Sequence, residues 1–316
     1  MYTQSQISEL ITAIKGRGEI PLKFDYIGEL GSQRWHAIAS KRHGDKYGIN
    51  KVESDLLQAK VSAFIASFGK IKKLNIIDIG PGDGSSALPL LNSLKDLQVE
   101  FRYVPVDISS EMLDMASENI NNLFPGVAVE PVQLDFELGN FAEVTYRLKQ
   151  GGYQNLMLFL GSTLGNQSDR QRVLTNFRDS MTSDDYLIIG VELVNLNKID
   201  KIVDQYYVKE VEDLVTTTAE NIGIKRDVGK YEVRFNAESS QIEGYFNFQT
   251  ATNIEYENEK INFEEGDKLL LFRSLKFTEW VFAKVLSEVG FRIEIFTTSS
   301  QKGYSLVMCQ PQRFNY

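Results

Sequence analysis

The chain has 316 residues, 42% of them hydrophobic and 24% charged, so it is long enough to bury one large core or two moderate ones. Its net charge of −9 and pI of about 5.0 disfavour nucleic-acid or anionic-membrane partners, and we expect neither. A single cysteine, Cys309, excludes an intramolecular disulfide, and the two histidines form no metal-ligand motif, so we expect no metal.

The amino terminus lacks the basic and apolar segments of a signal peptide. No apolar run approaches the roughly 18 residues that a membrane-spanning helix needs. From these two features we expect a soluble, cytoplasmic protein.

Strand and helix patterns alternate between residues 54 and 193. The predicted strands are Leu74–Ile79, Phe101–Val106, Val127–Gln133, Gln154–Leu160 and Tyr186–Val191. The predicted helices are Ser85–Lys95, Ser110–Asn122, Asn140–Lys149 and Asp169–Ser180, with Ser109 and Ser168 as N-caps. This alternation indicates a mostly parallel sheet with helices on both faces.

The character of the sequence changes after residue 195. Asp200–Asn221 is a polar, helix-like segment, and Tyr231–Phe235 and Tyr245–Thr250 follow as alternating strands. We interpret this region as an insertion that caps the sheet. Strand and helix character then returns, with a helix over Phe277–Val289 that ends at Gly290.

The last two predicted strands, Phe291–Thr297 and Tyr304–Gln310, are joined by a short link and form an antiparallel hairpin. Five parallel strands followed by such a hairpin are typical of class I methyltransferases. We therefore predict an α/β, Rossmann-like class I methyltransferase sheet of seven strands, together with a smaller α+β domain that binds substrate.

A glycine-rich loop follows the first strand. Gly80, Gly82 and Gly84 alternate with other residues, and glycine allows a backbone to turn tightly or to approach a ligand. The loop opens onto a helix N-terminus, which favours an anionic group. The spacing is G-x-G-x-G, and Ser85 stands where a dinucleotide fingerprint would place its last glycine, so the pattern favours S-adenosylmethionine (SAM) over NAD.

Further candidate residues follow the next three strands, at the sheet edge where open α/β sheets bind ligands. Asp107 ends the second strand, in a position suited to ribose hydroxyls. Asp135 and Phe136 follow the third and suit an adenine, by accepting from its amine and packing on its ring. The run F-L-G-S-T-L-G-N over residues 159–166 places small residues and the amide of Asn166 where the transferred methyl would lie.

These motifs together resemble the histidine-specific N-alpha-methyltransferases of the ergothioneine pathway. The resemblance implies a methyltransferase domain over 46–194 plus 266–316, and a substrate-binding domain over 1–45 plus 195–265. It further implies that Asn166 holds the amino group of the substrate, and that Tyr47, in place of a tyrosine of the family's Y-Y-P-T-R-T-E motif, assists with the amine and the carboxylate.

One family segment departs from its pattern. Where the family has E-I-S-C-K-F, with a glutamate and a serine that grip the imidazole of histidine, this chain has F-R-S-L-K-F. Ser274 is retained, but Phe272 replaces the glutamate, so we expect a substrate other than histidine. The substitution favours a less polar pocket, in which Arg273 would meet a second acidic group.

The sequence therefore predicts a SAM-dependent N-methyltransferase that acts on an amino acid or a small amine. The cofactor residues would be Asp78, Gly80, Gly82, Asp83, Gly84, Asp107, Ile108, Asp135, Phe136, Gly161 and Ser162. The substrate residues would be Tyr47, Thr163, Asn166, Phe272 and Ser274, of which Tyr47 and Asn166 are catalytic. A small-molecule O-methyltransferase and a non-catalytic SAM-binding protein remain as alternatives, and the oligomeric state stays open.

Overall fold

The computed structural model describes residues 2–44, 49–69, 73–301 and 303–312. The chain forms two compact units, which we describe separately. The first unit comprises 1–41, 166–168 and 195–276, and the second, which we call the sheet unit, comprises 42–165, 169–194 and 277–316. Tyr47, a predicted catalytic residue, lies outside the described residues.

The strands in chain order are β1 (Lys73–Ile79), β2 (Glu100–Asp107), β3 (Ala128–Val129), β4 (Val132–Gln133), β5 (Gln154–Phe159), β6 (Tyr186–Glu192), β7 (Gly229–Asn236), β8 (Gln241–Phe248), β9 (Thr252–Tyr256), β10 (Glu259–Phe263), β11 (Lys268–Leu275), β12 (Phe291–Thr298) and β13 (Tyr304–Pro311). The helices are α1 (Gln4–Arg17), α2 (Glu29–Gly44), α3 (Ile49–Ser67), α4 (Leu88–Asp96), α5 (Ser110–Leu123), α6 (Phe141–Leu148), α7 (Arg170–Asp179), α8 (Ile199–Asp204), α9 (Lys209–Val215), α10 (Thr217–Asn221) and α11 (Glu279–Val289). Among the described residues, none of these helices is both long and apolar enough to cross a bilayer.

The sheet unit is built on one central sheet with the strand order β12-β13-β6-β5-β1-β2, and β3 and β4 both pair with β2. The strands β3, β4, β2, β1, β5 and β6 run parallel to one another, whereas β13 pairs antiparallel with both β6 and β12. The predicted α/β class I methyltransferase sheet with its terminal hairpin is confirmed. The third predicted strand is split in two around Pro131, which has no backbone N–H for a ladder.

The apolar runs explain why this sheet is buried on both faces. The strand β1 is buried along nearly its whole length, and β5 and β6 share this pattern. Buried parallel strands of this kind are continuous hydrophobic runs rather than alternating ones. One large apolar cluster joins these strands to α3, α4 and α5, and it includes Phe64, Leu90 and Ile120.

Two helix starts differ from the sequence prediction. The N-cap of α7 is Asp169 rather than Ser168, and its carboxylate accepts from the backbone N–H of Arg172 at 2.9 Å. A carboxylate at this position also favours the positive end of the helix dipole. The glycine-rich loop leads first into a 3-10 turn, Ser85–Ala87, and α4 begins only at Leu88. Ser109 caps α5, as the sequence indicates.

The first unit contains an antiparallel sheet in the order β11-β8-β7 and a separate hairpin of β9 and β10. Residues 266–276, which the sequence assigns to the methyltransferase domain, belong to this unit, since β11 pairs with β8 and buries Leu269, Leu271 and Phe272 in its core. The predicted domain boundary at 266 is therefore corrected to 277.

Gly244 on β8 makes room for the ring of Phe272. A Cβ at position 244 would overlap three atoms of this ring, which is itself buried and stacked on Tyr206 at 5.2 Å between centroids. Overpacking of a core costs about 1–3 kcal/mol, and we expect Gly244→Ala to lower the free energy of unfolding by about this amount.

Thermal or chemical unfolding of the purified variant measures this effect. Gly16→Ala is the matched control, because no atom lies within 4 Å of its Cβ position and Gly16 is helical. It should be neutral or slightly stabilising. Equal stability of the two variants would contradict the packing assigned to Phe272.

Candidate active site

Loops from three strands of the sheet unit converge at Gly80, in the glycine-rich loop after β1. A Cβ on Gly80 would lie 3.7 Å from Cγ2 of Thr163, after β5, and 3.9 Å from the ring of Phe136, after β4. Gly80, Gly82 and Gly84 all have positive φ angles, of 64°, 59° and 78°. The three motifs that the sequence singled out separately are thus brought together, around a cradle that a side chain at Gly80 would begin to fill.

Residues of β2 and α5 hold the glycine-rich loop in place. The Cβ position of Gly84 is only 3.0 Å from the hydroxyl of Tyr103 and 3.3 Å from Ile120, so a larger residue would displace the loop. Asn119 on α5 donates to the backbone carbonyl of Asp83 at 2.8 Å. The Asp83 carboxylate accepts from the backbone N–H of Ser85 at 3.0 Å and so closes the turn.

Asp78 is buried at the end of β1 and accepts a hydrogen bond of 2.6 Å from the hydroxyl of Tyr103 on β2. Removal from water raises the pKa of Asp78 to about 7, although the Tyr103 hydrogen bond acts in the opposite direction. Tyr103 was missed by the sequence reasoning. The signal that marks it is a hydroxyl within an otherwise apolar stretch of β2.

Asp107 lies at the end of β2, in the position predicted for a ribose ligand. One carboxylate oxygen accepts from the backbone N–H of Ser109 at 2.9 Å. Desolvation raises the pKa of Asp107 to about 7, against hydrogen bonds from the backbone of Ser109 and Ile108. A carboxylate that has lost much of its water gains when ligand hydroxyls replace it.

Asp135 and Phe136 follow β4. The Asp135 carboxylate accepts from the backbone N–H of Glu137 at 2.9 Å. The Phe136 ring packs edge-on against Phe159, with centroids 5.5 Å apart, and lies 6.3 Å from Phe177. These contacts fix the ring at the border between the apolar core and the cradle around Gly80.

The turn after β5 has an unusual backbone. Gly161 and Ser162 are consecutive left-handed residues, with φ angles of 69° and 59°. The hydroxyl of Thr163 donates to the carbonyl of Leu160 at 2.8 Å, and the N–H of Gly165 donates to the carbonyl of Ser162 at 2.9 Å. The Thr163 hydroxyl thus shapes the turn, whereas its methyl group lies nearest Gly80. Asn166 ends the 3-10 turn that follows, Thr163–Asn166.

Ser274 and Phe272 lie on β11 in the first unit and are both buried. The hydroxyl of Ser274 accepts from the Lys276 ammonium at 3.2 Å, and this ammonium also donates to the hydroxyl of Tyr206 at 3.0 Å. Phe272, stacked on Tyr206, belongs to the same cluster. The sequence reasoning gave no role to Tyr206 or Lys276. For Lys276 a signal was present, because it matches the lysine of the family's E-I-S-C-K-F segment, whereas Tyr206 lies in no recognised motif.

Arg273 does not fulfil the prediction made for it. Its neighbours in β11 are buried in the core, and its guanidinium pairs with the carboxylate of Glu19, a buried residue of the same unit. Alternation along a strand sends successive side chains to opposite faces, which explains why Arg273 is directed away from Phe272 and Ser274. The expected pairing with an acidic group of the substrate is corrected to this internal ion pair.

The strand order, the glycine loop after β1 and the acid after β2 define a class I, SAM-dependent methyltransferase. The profile of histidine-specific, SAM-dependent methyltransferases matches residues 5–311, and the chain belongs to this family. The residues present fit the cofactor. Gly80 places no side chain in the cradle, Phe136 borders it, and the Gly80 N–H donates to the carbonyl of Val106, the residue before Asp107.

Two curated relatives are histidine N-alpha-methyltransferases. That of Mycolicibacterium smegmatis is 24% identical over 78% of this chain and 77% of its own length. That of Mycobacterium tuberculosis is 30% identical over 47% of this chain and 44% of its own.

Solved structures of methyltransferases are also similar. A SAM-dependent methyltransferase from Clostridium acetobutylicum gives a TM-score of 0.49 at 10% identity, with 89% of this chain and 99% of that chain covered. Magnesium protoporphyrin IX methyltransferase from Synechocystis, with S-adenosylhomocysteine bound, gives a TM-score of 0.49 at 15% identity, with 91% and 97% covered.

Proposed function

We propose that this enzyme transfers the methyl group of SAM to the amino group of an amino acid or a related small amine, and that histidine is not its preferred acceptor. The observation that carries the proposal is the convergence of the β5 turn with the glycine loop, where Thr163 lies beside Gly80. The 3-10 turn that begins at Thr163 ends at Asn166, and we assign the role of holding the amine to the amide of Asn166.

In this proposal the cofactor is held by the loops at the carboxyl edge of the sheet. Asp107 accepts hydrogen bonds from the ribose hydroxyls, and Asp135 accepts from the adenine amine while Phe136 packs on the base. The loop residues that surround the methionine portion are Asp78, Gly80, Gly82, Asp83, Gly84, Ile108, Gly161 and Ser162. SAM supplies an electrophilic methyl group on a sulfonium.

The acceptor amine must be neutral to use its lone pair in attack. The carboxamide of Asn166 accepts from the amine N–H through its oxygen and donates to the substrate carboxylate through its nitrogen. Tyr47 and Thr163 also bind the amine and the carboxylate of the acceptor in this proposal. Because an amine is already a good nucleophile, alignment supplies most of the rate acceleration, and effective molarities from alignment reach about 10⁵ M or more.

We assign recognition of the acceptor side chain to buried residues of the first unit. Its buried cluster of Phe272, Ser274, Tyr206 and Lys276 contains the serine that the family uses for imidazole, but an aromatic ring replaces the glutamate. An imidazole N–H without its acceptor loses roughly 1–3 kcal/mol, which corresponds to about tenfold to hundredfold weaker recognition. The relatives carry the name of histidine methyltransferases, so histidine is the essential comparison.

Titration calorimetry with SAM and S-adenosylhomocysteine, followed by a methyl-transfer assay over the twenty amino acids and simple amines, tests the proposal. We expect binding of both ligands and a kcat/KM for at least one amine that exceeds that for histidine by about tenfold or more. Preference for histidine would overturn the substrate assignment. Turnover only on phenols or carboxylates would replace the proposal with an O-methyltransferase.

A further inference from the structure

The peptide group between Leu160 and Gly161 is fixed on both sides at the start of the β5 turn. Its carbonyl accepts from the Thr163 hydroxyl at 2.8 Å. Its N–H donates to Oε2 of Glu53 at 2.9 Å, and Glu53 lies on α3, 108 residues earlier in the chain. The hydrogen bond from Gly161 to Glu53 therefore ties the start of the turn to α3.

Glu53 is buried, with 1% of its side chain exposed, and the same oxygen also accepts from the hydroxyl of Tyr304 on β13. Gly190 on β6 provides the space for this pair, since a Cβ there would overlap both the Glu53 carboxylate and the Tyr304 hydroxyl. Three elements of the sheet unit, α3, β6 and β13, thus meet at the Glu53 carboxylate.

This carboxylate is an expensive group to bury. Desolvation raises the pKa of Glu53, and the nearby carboxylate of Glu192 acts in the same direction. Hydrogen bonds from Tyr304, the Gly161 backbone and the Ser86 hydroxyl oppose the shift, but none of these partners carries a positive charge. A buried carboxylate without a positively charged partner is costly, and an apolar residue would anchor α3 at lower cost.

The turn itself is strained. Ser162 is a non-glycine residue in the left-handed region, directly after Gly161, which is left-handed as well. Such conformations persist only where the surrounding structure determines them, and they are found at sites whose geometry matters. The Glu53 hydrogen bond is the contact that reaches this turn from α3.

We propose that Glu53 is a positioning residue for methyl transfer, which holds the Gly161 N–H so that the turn over residues 161–165 presents Asn166 in its productive orientation. The inference rests on the role proposed above for Asn166. Glu53 acts through the turn and touches neither the cofactor nor the acceptor. The Tyr304 hydroxyl keeps the Glu53 carboxylate in place.

Glu53→Gln and Glu53→Ala separate the hydrogen bond from the charge. The glutamine retains an oxygen that accepts from Gly161, whereas alanine retains none. We expect kcat to fall roughly 30-fold or more in Glu53→Ala, with a smaller rise in the KM for SAM because Gly161 and Ser162 are only two of the proposed cofactor residues. In Glu53→Gln we expect kcat to stay within about fivefold of the native value.

The double variant Glu53→Ala, Tyr304→Phe controls for folding, because it also removes the hydroxyl that the alanine would leave buried without its partner. Hydrogen exchange of the Gly161 amide in the cofactor-free protein provides a readout that is independent of activity. It should be about tenfold or more faster in both alanine-containing variants, and unchanged in Glu53→Gln.

Unchanged exchange at Gly161 in the folded double variant, or a native kcat for Glu53→Ala, would overturn the role of Glu53. If the native enzyme methylates no amine, the proposed function fails. The exchange experiment still decides whether Glu53 holds the turn.

Discussion

Asn166→Ala is expected to lower kcat for amine methylation by about 100-fold or more, while the Kd for SAM stays within about threefold. The variant removes the carboxamide that aligns the acceptor but leaves the glycine loop, Asp107 and Phe136 unchanged. A loss confined to kcat would assign Asn166 to the reacting amine, because ground-state binding of the cofactor does not involve it.

Asn122→Ala is a suitable control, since Asn122 is an exposed asparagine on α5 in the sheet unit. It should retain the native kcat. Asn166→Asp keeps an acceptor oxygen but loses the two N–H donors, and its charge repels a substrate carboxylate. We expect it to raise the KM for an amino acid more than that for a simple amine. Full turnover by Asn166→Ala would remove Asn166 from the mechanism.

The sheet was predictable because its signals are local. Each strand is an apolar run, and each loop begins where such a run stops, as at Ile79 and Phe159. The hairpin of β9 and β10 was missed for a local reason as well. It turns at Glu257 and Asn258, both with positive φ angles, where glycine would have been the recognisable signal.

The convergence of the loops around Gly80 was predictable for the same reason, since residues at the carboxyl ends of neighbouring parallel strands meet at one edge. The contacts that hold these loops were not. Glu53 reaches Gly161 from 108 residues away and Tyr304 from 251 residues away. A sequence pattern reports neither partner, because nothing in the spacing of a helix specifies which distant loop it will contact.

The domain boundary illustrates the same limit. The run Leu269–Phe272 has the character of a buried strand, and either sheet would accommodate it. Its register with β8, which includes a shift between Leu270 and Phe272, assigns it to the first unit. Neither the strand β11 nor its pairing with β8 was predicted from the sequence.

Asp107→Asn is expected to weaken SAM binding by about tenfold or more at pH 8, because an amide offers one acceptor oxygen where the carboxylate offers two charged ones. In the native protein the pKa of Asp107 is raised to about 7, and the ionised form is the better acceptor for ribose hydroxyls. Binding should therefore release a proton near pH 6, and the native Kd should rise as the pH falls below 7.

Calorimetry in buffers of different ionisation enthalpy, between pH 6 and 8, measures the number of protons released. Asp78, whose pKa is also raised to about 7, titrates in the same range, so Asp107→Asn should reduce the release without abolishing it, and Asp78→Asn is the matched comparison. Proton release by Asp107→Asn equal to that of the native enzyme would contradict a direct role for Asp107.

The raised pKa of Asp107 also predicts how Asp107→Asn changes the stability of the free protein, and this effect is opposite to its effect on SAM binding. An acid with a raised pKa makes the folded state hold more protons than the unfolded chain between about pH 4 and pH 7, so its contribution to stability falls as the pH rises through this window. Asparagine has no charge to bury. Asp107→Asn should therefore unfold at a higher temperature than the native protein at pH 8 without cofactor, and lose this advantage at pH 4. A residue whose replacement stabilises the free protein while it weakens cofactor binding is retained for the ligand and not for the fold.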